Sequence, residues 1–348
     1  MSAPGRLRGA RLLLGAAVLL AACGPRPEPF HQQRILAFGT LVDVSLWEVD
    51  EDRAEEAFHV LGQELNWMHD AWHAWRPSAV TTLNRQIQSG ETFVPDPATL
   101  PLVDISTDFA LKSGHLFNPA IGKLIALWGY QADEPGKTPP DPALIAELVG
   151  QNPRMDDIRH DGSSLRGRNP AVQLDFGGFA KGYGVDRAME RLQAMGIRNA
   201  VVAAAGDIRV IGRHGDRPWR IGIRHPRQAG AIASLDMERD ENISTSGDYE
   251  RYFEYEGRRY HHIIDPRTGY PAQGTASVTV VSHNGALADA AATGLFVAGP
   301  REWRATATRL GVDQVMLVAT DGTVCMTPRM AERVQLEVTP PPRVLVVP

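Results

Sequence analysis

The chain has 348 residues, of which 43% are hydrophobic and 22% charged, and its formal net charge is −5. This composition is typical of an ordinary globular protein and excludes a largely disordered chain. The net charge is negative, whereas nucleic-acid-binding proteins carry an excess of basic residues, so we expect no nucleic-acid partner. The length is sufficient for a large hydrophobic core in one or two domains.

The first 22 residues are typical of a lipoprotein signal peptide. Arg6, Arg8 and Arg11 precede an apolar run over residues 12–22, which is too short to span a hydrocarbon core of ~30 Å. The run ends in Leu-Ala-Ala-Cys23-Gly and resembles a bacterial lipobox, in which Cys23 carries a lipid. An ordinary secretory cleavage beside an incidental cysteine is the alternative. With Cys23 lipidated, the other cysteine, Cys325, has no intramolecular disulfide partner.

The leader sets the expected location and domain boundaries. Several acyl chains hold a protein firmly at a bilayer, so we expect a lipid-anchored protein of the bacterial envelope that faces the periplasm. A Pro-rich tether is expected at residues 23–34, one main domain at 35–338, and a peripheral Pro-rich tail at 339–348.

Hydrophobic periodicity predicts an α+β fold without internal repeats. In the first half of the chain we expect a strand at 35–46, helices at 52–72, 99–113 and 120–129, and a surface loop at 131–142. In the second half we expect strands at 172–175, 200–205 and 276–282, helices at 180–195 and 285–298, and hairpins at 249–264 and 314–327.

The first candidate for chemistry is the segment Leu-Asp175-Phe-Gly-Gly178-Phe-Ala-Lys181-Gly. Its glycines join a predicted strand to a predicted helix, so backbone N–H groups can converge on a phosphate. Lys181 adds a positive charge in the first helical turn. A tight turn with an exposed lysine is the alternative, since short glycine motifs are weak signals.

The second candidate is the pair Asp289 and Thr293 in an alanine-rich helix. Four-residue spacing places both side chains on one helix face, and a carboxylate with a hydroxyl suits Mg²⁺. Alternatively, Asp289 caps the helix and Thr293 is a packing residue.

The third candidate is the pair His261 and His262 at the end of the predicted hairpin, downstream of Ser-Thr-Ser-Gly-Asp248. Neighbouring strand residues face opposite sides, and His262 shares its face with Tyr260 and Ile264, so we expect His262 to point inward. It is a candidate general base, and a core histidine is the alternative.

Several ordered motifs together resemble the ApbE family, the FAD:protein FMN transferases. They are Asp-Phe-Gly-Gly-Phe-Ala-Lys-Gly-Tyr, Ile-Ser-Thr-Ser-Gly-Asp-Tyr-Glu, His-His-Ile-Ile-Asp-Pro-Arg-Thr-Gly and Ala-Asp-Ala-Ala-Ala-Thr, and shorter matches extend the resemblance over about residues 35–325. The resemblance implies a two-lobed single domain with central antiparallel and mixed sheets flanked by helices, and FAD bound between the lobes.

The resemblance also implies roles for individual residues. FAD contacts fall on Phe38, Trp75, Leu116, Phe117, Asn118, Asp175, Lys181 and Ile263, and the Mg²⁺ ligands on Gly178, Asp289 and Thr293. His262 matches the catalytic base. The chain departs from the family pattern at three positions, with Phe38 for Met, Trp75 for Tyr and Asn118 for Asp.

The implied reaction transfers FMN from FAD, the substrate, to a Thr or Ser hydroxyl with Mg²⁺ as cofactor, and AMP leaves. The expected partner is an exported flavoprotein of a membrane redox complex. Two alternatives stay open: an FAD pyrophosphatase, in which water replaces the hydroxyl, and a flavin-binding lipoprotein without turnover. If His262 proves structural, Asp248 is the next candidate for the base.

Overall fold

The structure is a computed structural model that describes residues 29–132, 136–237 and 240–348. The signal peptide and Cys23 therefore lie outside the described residues. Within those residues, none of the helices has both the length and the apolar character needed to cross a bilayer.

The described chain alternates helices and strands throughout. The helices are α1 (Glu51–Trp72), α2 (Ala79–Ser89), α3 (Leu100–Ser113), α4 (Gly122–Leu127), α5 (Pro142–Gly150), α6 (Ala180–Ala194), α7 (Gly285–Leu310) and α8 (Pro328–Arg333), with a 3-10 turn at Met155–Asp157. The first strands are β1 (Phe30–Ala37), β2 (Thr40–Trp47), β3 (Thr92–Phe93), β4 (Ile158–Asp161), β5 (Ser164–Gly167), β6 (Ala200–Ala204), β7 (Asp207–Ile211), β8 (Trp219–Arg224) and β9 (Ala231–Met237). The later strands are β10 (Glu241–Gly247), β11 (Tyr252–Tyr255), β12 (Arg258–His261), β13 (Thr275–Ser282), β14 (Val315–Ala319), β15 (Val324–Met326), β16 (Gln335–Leu336) and β17 (Val344–Val346).

A nine-stranded sheet is the centre of the fold, with the strand order β1-β2-β6-β7-β10-β13-β14-β15-β17. Its neighbouring strands are antiparallel except β15 and β17, which are parallel. Three smaller sheets, β11-β12, β16-β9-β8 and β3-β5-β4, lie around it among the described residues. The α+β fold with antiparallel and mixed sheets is therefore confirmed.

The two faces of the large sheet pack against different layers because side chains alternate along each strand. On β14, Val315 and Leu317 pack with residues of α7 on one face. Met316 and Val318 pack on the other face, against the small sheet β16-β9-β8. Helices α1 and α6 cover the β1-β2-β6 end of the first face and enclose the largest apolar cluster, so both faces of the sheet are covered.

The first strand differs from its prediction. Residues 35–46 form two strands of a hairpin, not one strand, and β1 begins at Phe30, inside the expected tether. The hairpin turns at Phe38 and Gly39, which have φ angles of 54° and 69°. Phenylalanine rarely adopts positive φ, so Gly39 was the only local signal for this turn.

Five other segments also differ. Residues 172–175 form no strand, only a single parallel bridge between Ile121 and Gln173, and α4 is shorter than the helix expected at 120–129. Helix α7 extends to Leu310 across a break at Gly299 and Pro300. The tail at 339–348 contributes β17 to the edge of the large sheet. Of the loop expected at 131–142, residues 133–135 lie outside the described part, and α5 begins at its end.

The crossing of α6 and α7 is unusually close and is fixed by a buried carboxylate. A Cβ atom on Gly182 would lie 2.3 Å from the carbonyl oxygen of Gly285. Asp186 accepts hydrogen bonds from the N–H groups of Gly285 at 2.7 Å and Ala286 at 3.3 Å, and from Arg209 Nη1 at 2.8 Å. A carboxylate satisfies the unpaired N–H groups at a helix start and interacts favourably with the helix dipole.

We expect Gly182→Ala to lower the free energy of unfolding by about 1–3 kcal/mol, because the added methyl group forces the two helices apart. Gly62→Ala, in the interior of α1, is the matched control, since a methyl group added there would have no atom within 4 Å. It should raise the free energy of unfolding by about 0.5–1 kcal/mol. Urea denaturation measures both, and equal stabilities for the two variants would contradict the close crossing.

Candidate active site

The turn over residues 175–181 is held rigidly although it follows no strand. The side chain of Asn84, on α2, donates to the carbonyl oxygen of Leu174 at 3.0 Å and accepts from its N–H at 2.7 Å. The carboxylate of Asp175 accepts the N–H of Gly177 at 2.8 Å. The two contacts fix the backbone immediately before α6, so the N–H groups of the turn are pre-organised.

Asp175 and Trp75, two predicted flavin contacts, meet at this turn. Burial raises the pKa of Asp175, and hydrogen bonds from Gly177 and Trp75 oppose that rise. The charges of Arg251 and Lys181 act in the same direction as these hydrogen bonds. Asp175 therefore lies where the turn, the Trp75 loop and two cations converge.

Lys181 lies between two buried carboxylates. Its Nζ is 3.0 Å from Asp207 Oδ2 and 3.5 Å from Asp289 Oδ2. Burial lowers the pKa of Lys181, but the two carboxylates outweigh burial and raise it. The group of three carries one ammonium for two carboxylates, so a further cation nearby would be stabilised electrostatically.

The predicted metal ligands come together at the start of α7. Asp289 Oδ2 accepts the N–H of Gly182 at 3.0 Å, and burial and the charge of Asp207 raise the pKa of Asp289 to about 7. Thr293 Oγ1 lies 3.5 Å from the carbonyl oxygen of Gly178 and 3.2 Å from Ser246 Oγ. These are carboxylate, hydroxyl and carbonyl oxygens, the donors that Mg²⁺ prefers.

Across the described residues, no three His, Cys, Asp or Glu side chains form a metal cluster. A Mg²⁺ site needs none, because the ion is commonly bound through one or two carboxylates together with substrate phosphates. The donor set around Asp289 therefore fits Mg²⁺ bound jointly by protein and substrate.

The predicted orientation of the two histidines is wrong. His261 is the buried one, with 4% of its surface exposed. Its Nε2–H donates to Ala272 at 2.9 Å, its Nδ1 accepts from Ile263 at 3.3 Å, and its ring contacts Phe296 edge-on. With both ring nitrogens bonded inside the core, His261 has no free position for chemistry.

His262 is less buried but lies closer to the charged groups of the site. Its N–H and its Nδ1 both bond to the carbonyl oxygen of Arg251, at 3.0 Å and 3.3 Å. A carbonyl oxygen can only accept a hydrogen bond, so Nδ1 must carry the hydrogen. Nε2 is then unprotonated and has a free lone pair. Burial, with the charges of His261, Arg251 and Lys181, lowers the pKa of His262 to about 3, so the ring is neutral at physiological pH.

Asp248, the alternative base, is already ion-paired. Arg227 Nη1 and Nη2 lie 2.7 Å and 2.6 Å from its two carboxylate oxygens, and Arg259 is 3.6 Å away. Both carboxylate oxygens of Asp248 are therefore already engaged by guanidinium groups.

Aromatic rings connect two of the predicted flavin contacts. Successive ring centroids are 5.5 to 6.4 Å apart along the series Phe38, Trp72, Tyr183, Phe179 and Phe117. The Phe38 N–H is fixed by a 3.0 Å bond to His69 Nδ1. Phe38 and Phe117 thus lie at the two ends of one continuous series of ring contacts.

Three other predicted contacts lie around the residue 116–118 loop. Leu116 and Ile263 belong to one buried apolar cluster. Asn118 is buried, and its amide donates to Pro153 at 2.9 Å and accepts from Ala120 at 3.1 Å. The side chain of Asn118 therefore holds its own loop in place.

Sequence reasoning missed Asp207, Ser246 and Arg251. Asp207 follows a glycine directly after a buried strand, which was a usable signal for a functional acid. Ser246 lies within the quoted Ser-Thr-Ser-Gly motif, but no role was assigned to its hydroxyl. Arg251 carries no local signal, because its carbonyl oxygen meets His262 only once the β11-β12 hairpin has formed.

Comparisons with known proteins identify relatives of this chain. An FAD:protein FMN transferase of Rhodobacter capsulatus is 42% identical over 324 residues, covering 92% of this chain and 62% of that protein. One of Vibrio cholerae is 31% identical over 323 residues, covering 90% of this chain and 95% of that protein. The chain therefore spans less than two thirds of the Rhodobacter protein but nearly all of the Vibrio protein.

The fold has solved counterparts. The crystal structure of an ApbE protein from Thermotoga maritima superposes with a TM-score of 0.79 at 28% identity, covering 87% of this chain and 99% of that one. The sequence profile of the ApbE family matches residues 38–316. Because the family profile matches most of the chain, the chain belongs to the ApbE family.

Proposed function

We propose that this chain is an FAD:protein FMN transferase, which moves FMN from FAD to a Thr or Ser hydroxyl of a target protein and releases AMP. The observation that carries the proposal is the convergence of three distant segments. The turn at 175–181 meets the start of α7, and the end of the β11-β12 hairpin packs on α7 through His261 and Phe296. The relatives from Rhodobacter capsulatus and Vibrio cholerae bear this name and support it.

The reaction requires positioning and charge neutralisation more than covalent chemistry. The target hydroxyl oxygen forms a bond to the FMN-side phosphorus of FAD. The bond from that phosphorus to the bridging oxygen breaks, and the bridging oxygen leaves with AMP. The hydroxyl proton has to pass to an acceptor at the same site.

Asp289, Thr293 and the carbonyl oxygen of Gly178 would hold Mg²⁺, which when bound would neutralise charge on the pyrophosphate. Ser246 orients the Thr293 hydroxyl through their 3.2 Å contact. Lys181 sets the charge balance behind these ligands, because it neutralises one of the two buried carboxylates beside it.

His262 is the proposed proton acceptor. Its Nδ1–H is fixed on the Arg251 carbonyl, so Nε2 is the basic atom and the tautomer is set by the backbone. The flavin and adenylate contacts are proposed for the residues named from the sequence: Phe38, Trp75, Leu116, Phe117, Asn118, Asp175, Lys181 and Ile263.

The site of action is proposed from the leader. A lipid on Cys23 would hold the enzyme at a membrane of the bacterial envelope, facing the periplasm, and its target would be an exported flavoprotein of a membrane redox complex. Cys23 lies outside the described residues, so this part of the proposal depends on the signal-peptide pattern.

The reaction can be tested with FAD, Mg²⁺ and an exported flavoprotein domain that carries a Ser/Thr acceptor motif. We expect fluorescence covalently bound to the acceptor, with one AMP released for each flavin transferred. Release of AMP without labelled acceptor would favour the pyrophosphatase instead. FAD binding with neither product would favour a storage protein.

Replacing Asp289 by Asn should slow transfer by about 100-fold or more, because the amide keeps the shape but loses the charge that binds the cation. Added Mg²⁺ should raise the thermal unfolding temperature of the wild type in the presence of FAD, but not that of the variant. Asp313→Asn, at an exposed ion pair with Arg329, is the control and should match the wild type. A fully active Asp289→Asn enzyme would rule out this metal site.

Replacing His262 by Ala should slow transfer by about 10²–10⁴-fold with FAD affinity nearly unchanged. Because the pKa of His262 is lowered to about 3, the base stays neutral and active until the pH falls towards that value. The wild-type rate should therefore show no loss from His262 between about pH 8 and pH 5. His59→Ala, on the exposed face of α1, is the control.

A collapse of FAD affinity in His262→Ala would instead make His262 a binding or structural residue. A rate loss near the ordinary histidine pKa of about 6.5 that appears in the wild type but not in His262→Ala would also contradict the proposed environment of the ring. A loss near pH 7 that is common to both enzymes belongs to Asp289, whose pKa is raised to about 7.

A further inference from the structure

Asp207 lies at the start of β7, directly after a turn that packs tightly against β10. Ala205, with a φ angle of 53°, and Gly206 join β6 to β7. The N–H of Thr245 donates to the carbonyl oxygen of Gly206 at 3.0 Å, and a Cβ atom on Gly206 would lie 2.6 Å from the carbonyl oxygen of Thr245. Asp207 pairs with Ser244 of β10 and is 2% exposed, so its carboxylate is fixed in the interior.

The ammonium of Lys181 lies between two carboxylates, and it is closer to Asp207. Lys181 Nζ is 3.0 Å from Asp207 Oδ2 and 3.5 Å from Asp289 Oδ2. Both carboxylates are buried, so solvent and salt screen these interactions little. Because attraction between charges falls with distance, Asp207 takes the larger share of the ammonium charge.

Asp289 keeps one carboxylate oxygen out of these contacts. Its Oδ2 accepts the N–H of Gly182 at 3.0 Å and lies 3.5 Å from the ammonium of Lys181. Among the residues that the structure describes, none donates a hydrogen bond to Asp289 Oδ1. This oxygen is therefore the one that remains available to a cation.

The charge of Asp207 maintains this arrangement. Without it, Asp289 would be the single carboxylate partner of the Lys181 ammonium, and the group of three would become neutral instead of negative. An ammonium paired fully with Asp289 would repel a divalent cation and compete with it for the same carboxylate. The buried acid behind Lys181 thus affects how Asp289 can bind a cation, although it is not itself among the proposed ligands.

We propose that Asp207 is a positioning residue that sets the affinity of the site for Mg²⁺, because it holds the Lys181 ammonium and so leaves Asp289 free to bind the ion. This inference rests on the proposed function, in which Asp289 is a ligand of Mg²⁺. Groups that contact metal ligands without touching the metal commonly tune its affinity.

Asp207→Asn should raise the dissociation constant of Mg²⁺ by about 10–100-fold, the usual effect of removing such a supporting group. Titration calorimetry of Mg²⁺ into the FAD-saturated protein, without acceptor, measures this constant. FAD binding in the absence of Mg²⁺ should not weaken, because the substitution removes a negative charge from a site that binds phosphates. Saturating Mg²⁺ should restore most of the transfer rate, since Asp289 and Thr293 are intact.

Two further variants separate this role from a purely structural one. In a Lys181→Met background, Asp207→Asn should change the Mg²⁺ dissociation constant much less, because no ammonium is left to redirect. Asp207→Glu keeps the charge but moves the carboxylate, so its constant should lie between those of the wild type and Asp207→Asn. The Glu variant also tests the inference if the Asn variant does not fold.

Glu241→Gln is the matched control. Glu241 is a buried carboxylate on the neighbouring strand β10, and Arg333 donates two 2.8 Å hydrogen bonds to it. Its substitution removes a buried charge from the same sheet without touching Lys181. The free energy of unfolding should fall, whereas the Mg²⁺ dissociation constant should match that of the wild type.

Three results would overturn the inference. An unchanged Mg²⁺ dissociation constant in Asp207→Asn and Asp207→Glu would show that Asp207 does not act on the metal. An equal effect of Asp207→Asn with and without Lys181 would show that it does not act through the ammonium. Weaker FAD binding by Asp207→Asn in the absence of Mg²⁺ would make Asp207 a part of the flavin pocket instead.

The metal titration and the transfer assay fail separately. A wild type that labels no acceptor, but whose Mg²⁺ binding weakens in Asp207→Asn and depends on Lys181, would keep this inference and reject the transferase. A wild type that labels its acceptor, with Mg²⁺ binding unchanged in Asp207→Asn, would keep the transferase and reject the inference.

Discussion

The close crossing of α6 and α7 is the contact on which the rest of the site depends. Because residue 182 has no side chain, its N–H reaches the carboxylate of Asp289 at 3.0 Å. Asp186 of α6 accepts the N–H of Gly285 and so fixes the beginning of α7, one turn before Asp289. The same crossing brings Thr293 to the carbonyl oxygen of Gly178, in the turn that precedes α6, so helix packing and this turn together assemble the oxygen cluster.

Charge is the second constraint, and it follows from the first. The crossing buries Asp289 close to Asp207, and two carboxylates in a low-dielectric interior are costly unless a cation lies between them. Lys181 is the cation between them, so its charge is neutralised by these two carboxylates. A phosphate bound next to this cluster would therefore need positive charge from elsewhere, such as a bound cation.

The two histidines show what the alternation of side chains along a strand can and cannot predict. Alternation along a strand correctly predicted that one ring would be buried and the other not, but it assigned the wrong one to the interior. The burial of His261 is decided by Phe296 of α7, which packs against its ring. Nothing within the hairpin distinguishes its two faces, whereas the helix 35 residues further along the chain does.

The sequence by itself determined the features that depend on neighbours along the chain. The spacing of Asp289 and Thr293 placed them on one helix face, and the Glu256-Gly257 turn, with φ angles of 49° and 72°, produced the hairpin. Only the tertiary structure decided the pairing of Lys181 with Asp207 and the contact of the Arg251 carbonyl oxygen with His262. It also decided the lack of a strand at 172–175, where Asn84 bonds to the backbone groups of Leu174. Each of these involves groups that are distant in sequence, so their energies depend on packing that no local pattern encodes.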